Sequence, residues 1–508
     1  MTDMTNKEGE RMENESQLLK QRREKYDKLI EMGIDPYPPR CERTHCIQGL
    51  WDNESEFAEK GQMVSIVGRI NAKRRQGKIG FLNIQDATAK IQIFVRQDEV
   101  ADENYELFKL FDLGDFIQVD GKVIHTQTGE YSVLAKKLTL LSKNMRPIPT
   151  VKEKEVDGKI VRYDEFSDTE LRYRKRYLDL LLNPENKKTF EIRSKIIQGV
   201  RNFLNNRAFL EVETPILQPL YGGANARPFT THHNTLDMTL YLRIATELYL
   251  KRLIVGGFER VYEMGKNFRN EGMDRTHNPE FTAIEIYQAY TDLDGMIELT
   301  ETMISTIAQD LFGTQTINFQ GTEINLQRPW RKASMLELVK EHTGEDFSDF
   351  DFERLKAFCK SKNIEVEAHA GPGKLIAEIF DAFVEEKLIQ PTFVTDYPLE
   401  ISPLAKNHPG NPNLVERFEL FIMGAEYGNA FTELNDPIEQ RKRLEHQAQM
   451  REMGDDEANV VDEDFLEALD YAMPPMGGLG IGIDRLIMLL TNNTSIKEVI
   501  LFPQMKPE

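Results

Sequence analysis

The sequence predicts an α+β chain in which a small N-terminal β-barrel precedes a large antiparallel sheet flanked by helices. Two observations predict it. Residues 63–142 read as five or so short strands punctuated by turns at Gly77, Asp120-Gly121 and Thr128-Gly129. Beyond residue 186, strand patterns recur without intervening helices at 240–245, 258–264, 281–290, 391–396, 417–423 and 428–434. A length of 508 residues allows two or three domains and a sizeable core.

Composition narrows the class. Apolar residues make up 40% and charged residues 29%, ordinary values for a soluble protein, and no apolar run reaches the ~18 residues of a membrane span. The polar start MTDMTNKEGERMENES lacks the apolar stretch of a secretory signal. Three cysteines, Cys41, Cys46 and Cys359, argue against a disulfide framework and for a cytoplasmic setting. Cys41, His45 and Cys46 are too few for a zinc shell and read as free thiols and an ordinary histidine. The net charge of −20 disfavours general nucleic-acid binding. Residues 61–100 reverse that balance, with seven Lys or Arg against three acids, so this island can meet a polyanion.

Taken in order, residues 1–60 form a tail and a helix. Positions 1–16 read as disordered, and 17–32 read as a helix with an apolar stripe of Leu19, Tyr26, Leu29 and Ile30. Its cationic residues Lys20, Arg22, Arg23, Lys25 and Lys28 suit a solvated face or an RNA contact. Residues 61–145 form the barrel, of OB-fold type. There Phe81 alternates onto a polar face beside the basic loop, either as an exposed ring or as a stacking platform for an unpaired base. A segment at 98–112 can be one helix. Pro147 and Pro149 open a linker, 146–185, that contains a charged helix at 170–181. From 186 to 508 runs the large domain, with an amphipathic helix at 190–204, a strand at 209–212 ending near Pro215, long helices within 292–312, and a helical insertion over about 333–390.

The chemistry concentrates in FRNEGMDRTHNPEFTAIEIYQAY, from Phe268 to Tyr290. Arg269 and a polar loop precede a strand whose odd positions Phe281, Glu285 and Tyr287 share one face. A phosphate-gripping arginine, a ring and a carboxylate in line describe a nucleotide site beside a cationic ligand. Neither a GxxxxGK[ST] loop nor a GxGxxG turn opening a helix is present. A glycine run, Gly478-Leu-Gly480-Ile-Gly482-Ile-Asp484-Arg485, leads instead into an apolar helix, where backbone amides and a guanidinium both attract phosphate. On the strand 428–434, Asn429, Phe431 and Glu433 share a face.

The helix-strand ending at Pro215, the arginine-led hairpin and GLGIGIDRLIML resemble the three signature motifs of class II aminoacyl-tRNA synthetases. The barrel narrows this to the lysyl, aspartyl and asparaginyl subgroup. FRNEG, HNPEFT, DYPLEISPLAK, EYGNAFTELND and GIGIDR resemble its lysyl branch. The resemblance implies activation of L-lysine with ATP to lysyl-adenylate, then transfer to the 3′ end of tRNA(Lys), by a homodimer joined around 190–216. It assigns Arg269 to the α-phosphate and Arg485 to the γ-phosphate as catalytic groups. ATP would also meet Glu271, His277, Asn278, Phe281 and Gly482. It assigns Gly223, Glu247, Glu285, Tyr287, Asn429 and Glu433 to lysine, with Glu433 and Tyr287 at the ε-ammonium. Glu419 and Glu426 would hold Mg2+. Arg74, Phe81, Gln92 and Glu130 would read the anticodon. One departure stands at Lys506, where the family ends FPxMRP with arginine. Two other functions fit the motifs in part: a paralogue that lysylates a protein, against which residues 63–142 argue, and an inactive tRNA-binding relative, against which the intact arginines and glutamates argue.

Overall fold

A computed structural model describes residues 2–149, 152–156, 159–163, 166–367, 370–452 and 460–507. The chain divides into two compact units, Met1–Phe166 and Ser167–Glu508.

In the first unit, helix α1 (Thr2–Glu31) begins well before the expected start at residue 17. Its polar opening is rich in Glu, Lys, Met and Asn, a composition compatible with a solvated helix as well as with coil. Strands β1 (Met63–Gln76), β2 (Ile79–Gln85), β3 (Lys90–Arg96), β4 (Phe116–His125) and β5 (Tyr131–Ser142) close into a barrel of order β1-β2-β3-β5-β4. Helix α2 (Gln97–Leu110) lies between β3 and β4 in the chain. Inward residues of the alternating strands, among them Ile66, Leu82, Ile93, Val119 and Val133, form the core together with Leu29 of α1. The cations of α1 are not all solvated. Arg22 is buried and donates to the carbonyls of Asn144, Arg146 and Leu113, and Lys25 pairs with Asp112. These two residues dock the helix on the barrel.

In the second unit eight strands make one sheet. They are β6 (Leu210–Glu211), β7 (Arg260–Phe268), β8 (Glu280–Ala289), β9 (Arg331–Ser334), β10 (Thr392–Pro398), β11 (Leu414–Ile422), β12 (Ala425–Thr432) and β13 (Met476–Gly482), in the order β9-β10-β11-β12-β13-β8-β7-β6. The six central strands are antiparallel, as expected; the pairs at both edges, β9 with β10 and β6 with β7, are parallel. The glycine run that leads into the apolar helix is itself β13. Glycine disfavours strands on propensity, but pairing on both sides overrides that here.

Helices α3 (Pro184–Asn205), α4 (Glu247–Val255), α5 (Leu293–Phe312) and α9 (Ile483–Leu490) surround the sheet. Even-numbered Ile284 and Ile286 of β8 pack with Ile196 and Val200 of α3, Met303 and Ile307 of α5, and Leu486 and Ile487 of α9. The odd face of β8 is thereby left for the site. The insertion holds three short helices, α6 (Met335–Thr343), α7 (Phe352–Ser361) and α8 (Pro372–Phe383), with a core of their own. Gly344 ends α6 in the left-handed conformation and Pro372 opens α8, which explains why no long helix forms. The charged linker helix is likewise broken at Lys175 into two short helices. No helix among the described residues is long and apolar enough to cross a membrane.

Candidate active site and nucleic-acid surface

Strands β8, β12 and β13 form the floor of a cavity of about 450 Å3. The register explains its composition. Gly480 of β13 pairs with Asn429 on one side and Glu285 on the other; Gly478 pairs with Phe431 and Tyr287. Each glycine thus sits between two strands whose residues carry the chemistry. Of the residues expected in this unit, Gly223, Glu247, Arg269, Glu271, His277, Asn278, Phe281, Glu285, Tyr287, Glu419, Glu426, Asn429, Gly482 and Arg485 all line it.

At one end stand the arginines. The Arg269 guanidinium lies 5.1 Å from the centroid of the Phe281 ring, and its buried Nε has no hydrogen-bond partner among the described residues. Arg485 donates to the Glu426 carbonyl at 2.8 Å and meets His277 Nε2 at 2.9 Å. His277 is oriented by Asp274, 2.8 Å from its Nδ1. Burial would raise the Asp274 carboxyl, but hydrogen bonds from the His277 ring and the amides of Thr276 and His277 hold it at about 2. Arg485 begins its helix beside Asp484, whose carboxylate accepts from the Thr282 amide at 2.6 Å and from Arg193 at 2.5 Å. That buried clamp fixes the start of α9 against β8. A Cβ on Gly482 would meet Arg485 carbons first, at 3.8–3.9 Å, which is ordinary van der Waals contact. Asn278 is buried, donates to the Glu280 carbonyl at 2.6 Å and accepts from the Gln504 amide at 3.3 Å.

Glu419 and Glu426 lie nearby. Glu419 accepts from Tyr397 at 2.9 Å and from Arg417 at 2.5 Å. Burial and the negative charge of Glu426 push its carboxyl up, against the pull of Arg417. Arg417 itself donates to Asn429 at 3.1 Å. Sequence reasoning missed Arg417, although ERFELF places it two residues before Glu419 on the same strand face.

At the other end three carboxylates converge. Glu285 accepts from the Thr246 amide at 2.9 Å and from the Tyr287 hydroxyl at 3.2 Å. Burial, reinforced by Glu247, pushes the Glu285 carboxyl up to about 7. Glu433 lies behind Gly478, off the cavity wall: a Cβ on Gly478 would come within 2.0 Å of Glu433 Oε1. Its Oε2 pairs with Lys251, a residue the sequence reading did not single out, and its Oε1 has no hydrogen-bond partner among the described residues. Gly223 adopts φ +84°, and a Cβ there would press on Glu247 at 2.9 Å, so glycine is required twice over. Lys506 is exposed and only its carbonyl is engaged, by Arg174 at 2.6 Å; the departure from the family ending does not reach the cavity.

On the barrel, Arg74, Phe81, Gln92 and Glu130 line one groove. Phe81 and Phe94 stack with centroids 5.0 Å apart and planes 7° from parallel. Phe94 alternates with Ile93 and Val95 and was legible as the partner ring. The basic island is smaller than its count suggests. Lys73 turns inward and donates to the carbonyls of Phe108, Lys109 and Phe111 at the end of α2, and burial lowers its ammonium to about 8. Arg96 pairs with Asp98. Arg74, Arg75 and Lys78 line the groove.

A fold of this topology, with arginines at both signature positions, is that of an aminoacyl-tRNA synthetase of class II. The family model described as "tRNA synthetases class II (D, K and N)" matches residues 168–506, and "OB-fold nucleic acid binding domain" matches residues 64–141. Over nearly its whole length the chain is similar to curated lysine–tRNA ligases. It is 52% identical to that of Pelotomaculum thermopropionicum (100% of this chain, 98% of the relative). It is 51% identical to those of Halalkalibacterium halodurans and Bacillus subtilis (96% of this chain, 97% of each relative). The chain belongs to the lysine–tRNA ligase family of class II synthetases.

Proposed function

We propose that this enzyme activates L-lysine with ATP and esterifies tRNA(Lys). The observation that carries the specificity is the convergence of Glu247 and Glu285, which line the cavity away from Arg269 and Arg485, with Glu433, which lies directly behind Gly478. A pocket of buried carboxylates rejects aspartate by repulsion and neutral analogues because its charge would be left unpaired.

In the first step a lysine carboxylate oxygen attacks the α-phosphorus of ATP in line. The bond from that phosphorus to the bridging oxygen breaks, and diphosphate leaves. Arg269 orients the two reacting anions, and its partnerless Nε supports that role. Arg485 holds the γ-phosphate, Glu271, His277 and Asn278 contact other parts of ATP, and Phe281 stacks on adenine. In the second step a ribose hydroxyl of the tRNA terminus attacks the carbonyl of the mixed anhydride; AMP leaves with the electron pair and the hydroxyl proton is lost.

Glu419 and Glu426 would hold Mg2+. Their hard oxygen donors fit the ion, and a dication beside Glu419 would offset the burial and the Glu426 charge that push its carboxyl up. With two carboxylates as protein ligands, phosphate oxygens and water would supply the rest of the ion's oxygen donors. When bound, Mg2+ supplies neutralisation of the phosphate charge. A homodimer is expected as well, since Leu210, Ile216, Leu217 and Leu220 expose apolar surface around the first motif. A cytoplasmic setting agrees with three free cysteines.

Pyrophosphate exchange across twenty amino acids, followed by tRNA charging, tests the reading. Lysine alone should support exchange; exchange with another amino acid instead would refute it. Phe81→Ala should reduce charging of tRNA(Lys) about tenfold through tRNA affinity, the worth of one stacked base, and spare exchange. Equal losses in both assays would assign Phe81 to folding.

The pH dependence has a definite sign. Below about 7 Glu285 is protonated, and only its ionised form pairs with an ammonium. Lysine binding should therefore strengthen as pH rises from about 6 to 8, with a proton released. Titration calorimetry in buffers of different ionisation enthalpy reads that proton; a binding constant flat over this range would remove Glu285 from the ammonium's surroundings.

A further inference from the structure

The pocket proposed for a substrate ammonium already contains one. Lys251 projects from α4 with 0% exposure. Its Nζ lies 2.6 Å from Glu247 Oε1, pairs with Glu433 Oε2, and stands 5.4 Å and 5.9 Å from the ring centroids of Phe431 and Phe465. Glu247 and Lys251 are four residues apart on one helix face, the spacing at which side chains meet.

A buried ammonium is costly unless its partners are well placed, and residues that merely fill space in a core are apolar. Charge gives the reason for a lysine here. Glu247, Glu285 and Glu433 carry three formal negative charges and Lys251 one positive, so two negative charges remain. A further ammonium brings the cluster close to neutrality. Four of the six carboxylate oxygens are already engaged. Glu433 Oε2 and Glu247 Oε1 are taken by Lys251, and Glu285 is tied to the Thr246 amide and Tyr287. Glu433 Oε1 is buried without a hydrogen-bond partner among the described residues, and it lies directly behind Gly478, where a Cβ would come within 2.0 Å of it.

We infer that Lys251 is a specificity-determining positioning residue: its ammonium bridges Glu247 and Glu433, favours the carboxylate form of Glu433, and orients Oε1 toward a single cation at the end of the substrate side chain. The inference rests on the reading of the chain as a lysine-activating enzyme. The groups facing Lys251 are Glu247 on its own helix and Glu433 beyond β12, and Glu285 on β8 acts on Glu433 in turn; α4 also packs on Phe465, which contributes no charge. Burial, with Glu247 and Glu285, pushes the Glu433 carboxyl well up, and the Lys251 ammonium pulls it down. Without Lys251, Glu433 and Glu247 repel each other in a dry site, and the pair keeps a proton at neutral pH. A protonated Glu433 cannot pair with an ammonium. Simple charge counting predicts the reverse, because removing a cation makes the pocket more negative and more attractive to lysine. The two accounts differ in sign.

The test uses full-length Lys251→Met and Lys251→Arg in lysine-dependent pyrophosphate exchange between about pH 6.5 and 9. Lys251→Met should raise the KM for lysine at least about tenfold at neutral pH, with the KM for ATP within about twofold of wild type. That excess should shrink as pH rises and Glu433 ionises. Lys251→Arg, which keeps the charge, should keep the wild-type pH profile. An unchanged or lowered KM for lysine in Lys251→Met, or a rise independent of pH, overturns the inference. Should Lys251→Met fail to fold, Lys251→Arg decides: a wild-type profile supports the inference and a shifted profile overturns it. Wild-type enzyme that exchanges no pyrophosphate with lysine refutes the functional reading itself, an outcome distinct from any result with the variants.

Discussion

Arg269→Ala should lower lysine-dependent pyrophosphate exchange about a thousandfold or more, equivalent to ~4 kcal/mol of transition-state stabilisation. Two features make this the largest expected loss at the nucleotide end. Among the described residues the guanidinium's buried Nε has no hydrogen-bond partner, and the group is held over the Phe281 ring beside the entry of β8. A cation so placed is available to the anions that react. Arg269→Lys should recover only a small part of the activity, since an ammonium cannot bind carboxylate and phosphate through one planar fork. Single-turnover formation of adenylate separates chemistry from binding. Alanine and wild-type enzymes with similar rates there would end the assignment.

Gly478→Ala should act at the opposite end, on lysine rather than ATP. The added methyl would fall 2.0 Å from Glu433 Oε1 and 2.6 Å from a carbon of the Tyr287 ring. Neither neighbour has room to retreat: Glu433 is bound to Lys251, and Tyr287 is buried against Glu285. Overpacking of about 3 kcal/mol, if borne by the pocket, corresponds to roughly a hundredfold rise in KM for lysine. The KM for ATP should stay near the wild-type value, because Arg485 and His277 meet each other beyond the other end of β13. A variant with normal lysine KM would mean that the pocket relaxes around the methyl, and that Glu433 Oε1 lies outside the binding region.

How far this was readable beforehand differs by element. The alternation in β8 placed Phe281, Glu285 and Tyr287 on one face, and they share one cavity wall. Motif order and spacing carried the resemblance, since loops of fixed length must return each arginine to the same place. The strand character of Gly477–Gly482 was hidden because glycine has no propensity to declare; only the neighbours on both sides make it a strand. Lys251 was hidden for another reason. ELYLK reads as an ordinary amphipathic helix with an i, i+4 ion pair, and nothing local reveals that Glu433, 182 residues later, closes over the same ammonium. Lys73 and Arg22 show the converse error, cations that read as surface charge and serve as internal fastenings. Contacts distant in sequence decide such cases, and charge counting along the chain does not register them.

The glycine strand has an evolutionary corollary. Its alternate residues offer backbone where neighbouring strands offer side chains, so Gly478 and Gly480 furnish a chemically blank panel between Asn429 and Phe431 on one side and Glu285 and Tyr287 on the other. A blank panel has nothing to mutate toward a new preference. Divergence to another amino acid would have to be inscribed on the two flanking strands and the helix that carries Lys251. The arginines that serve ATP lie on other segments and would be undisturbed. Placing the two arginines outside the strands that face the amino acid lets the phosphate grip be kept while the choice of amino acid is rewritten.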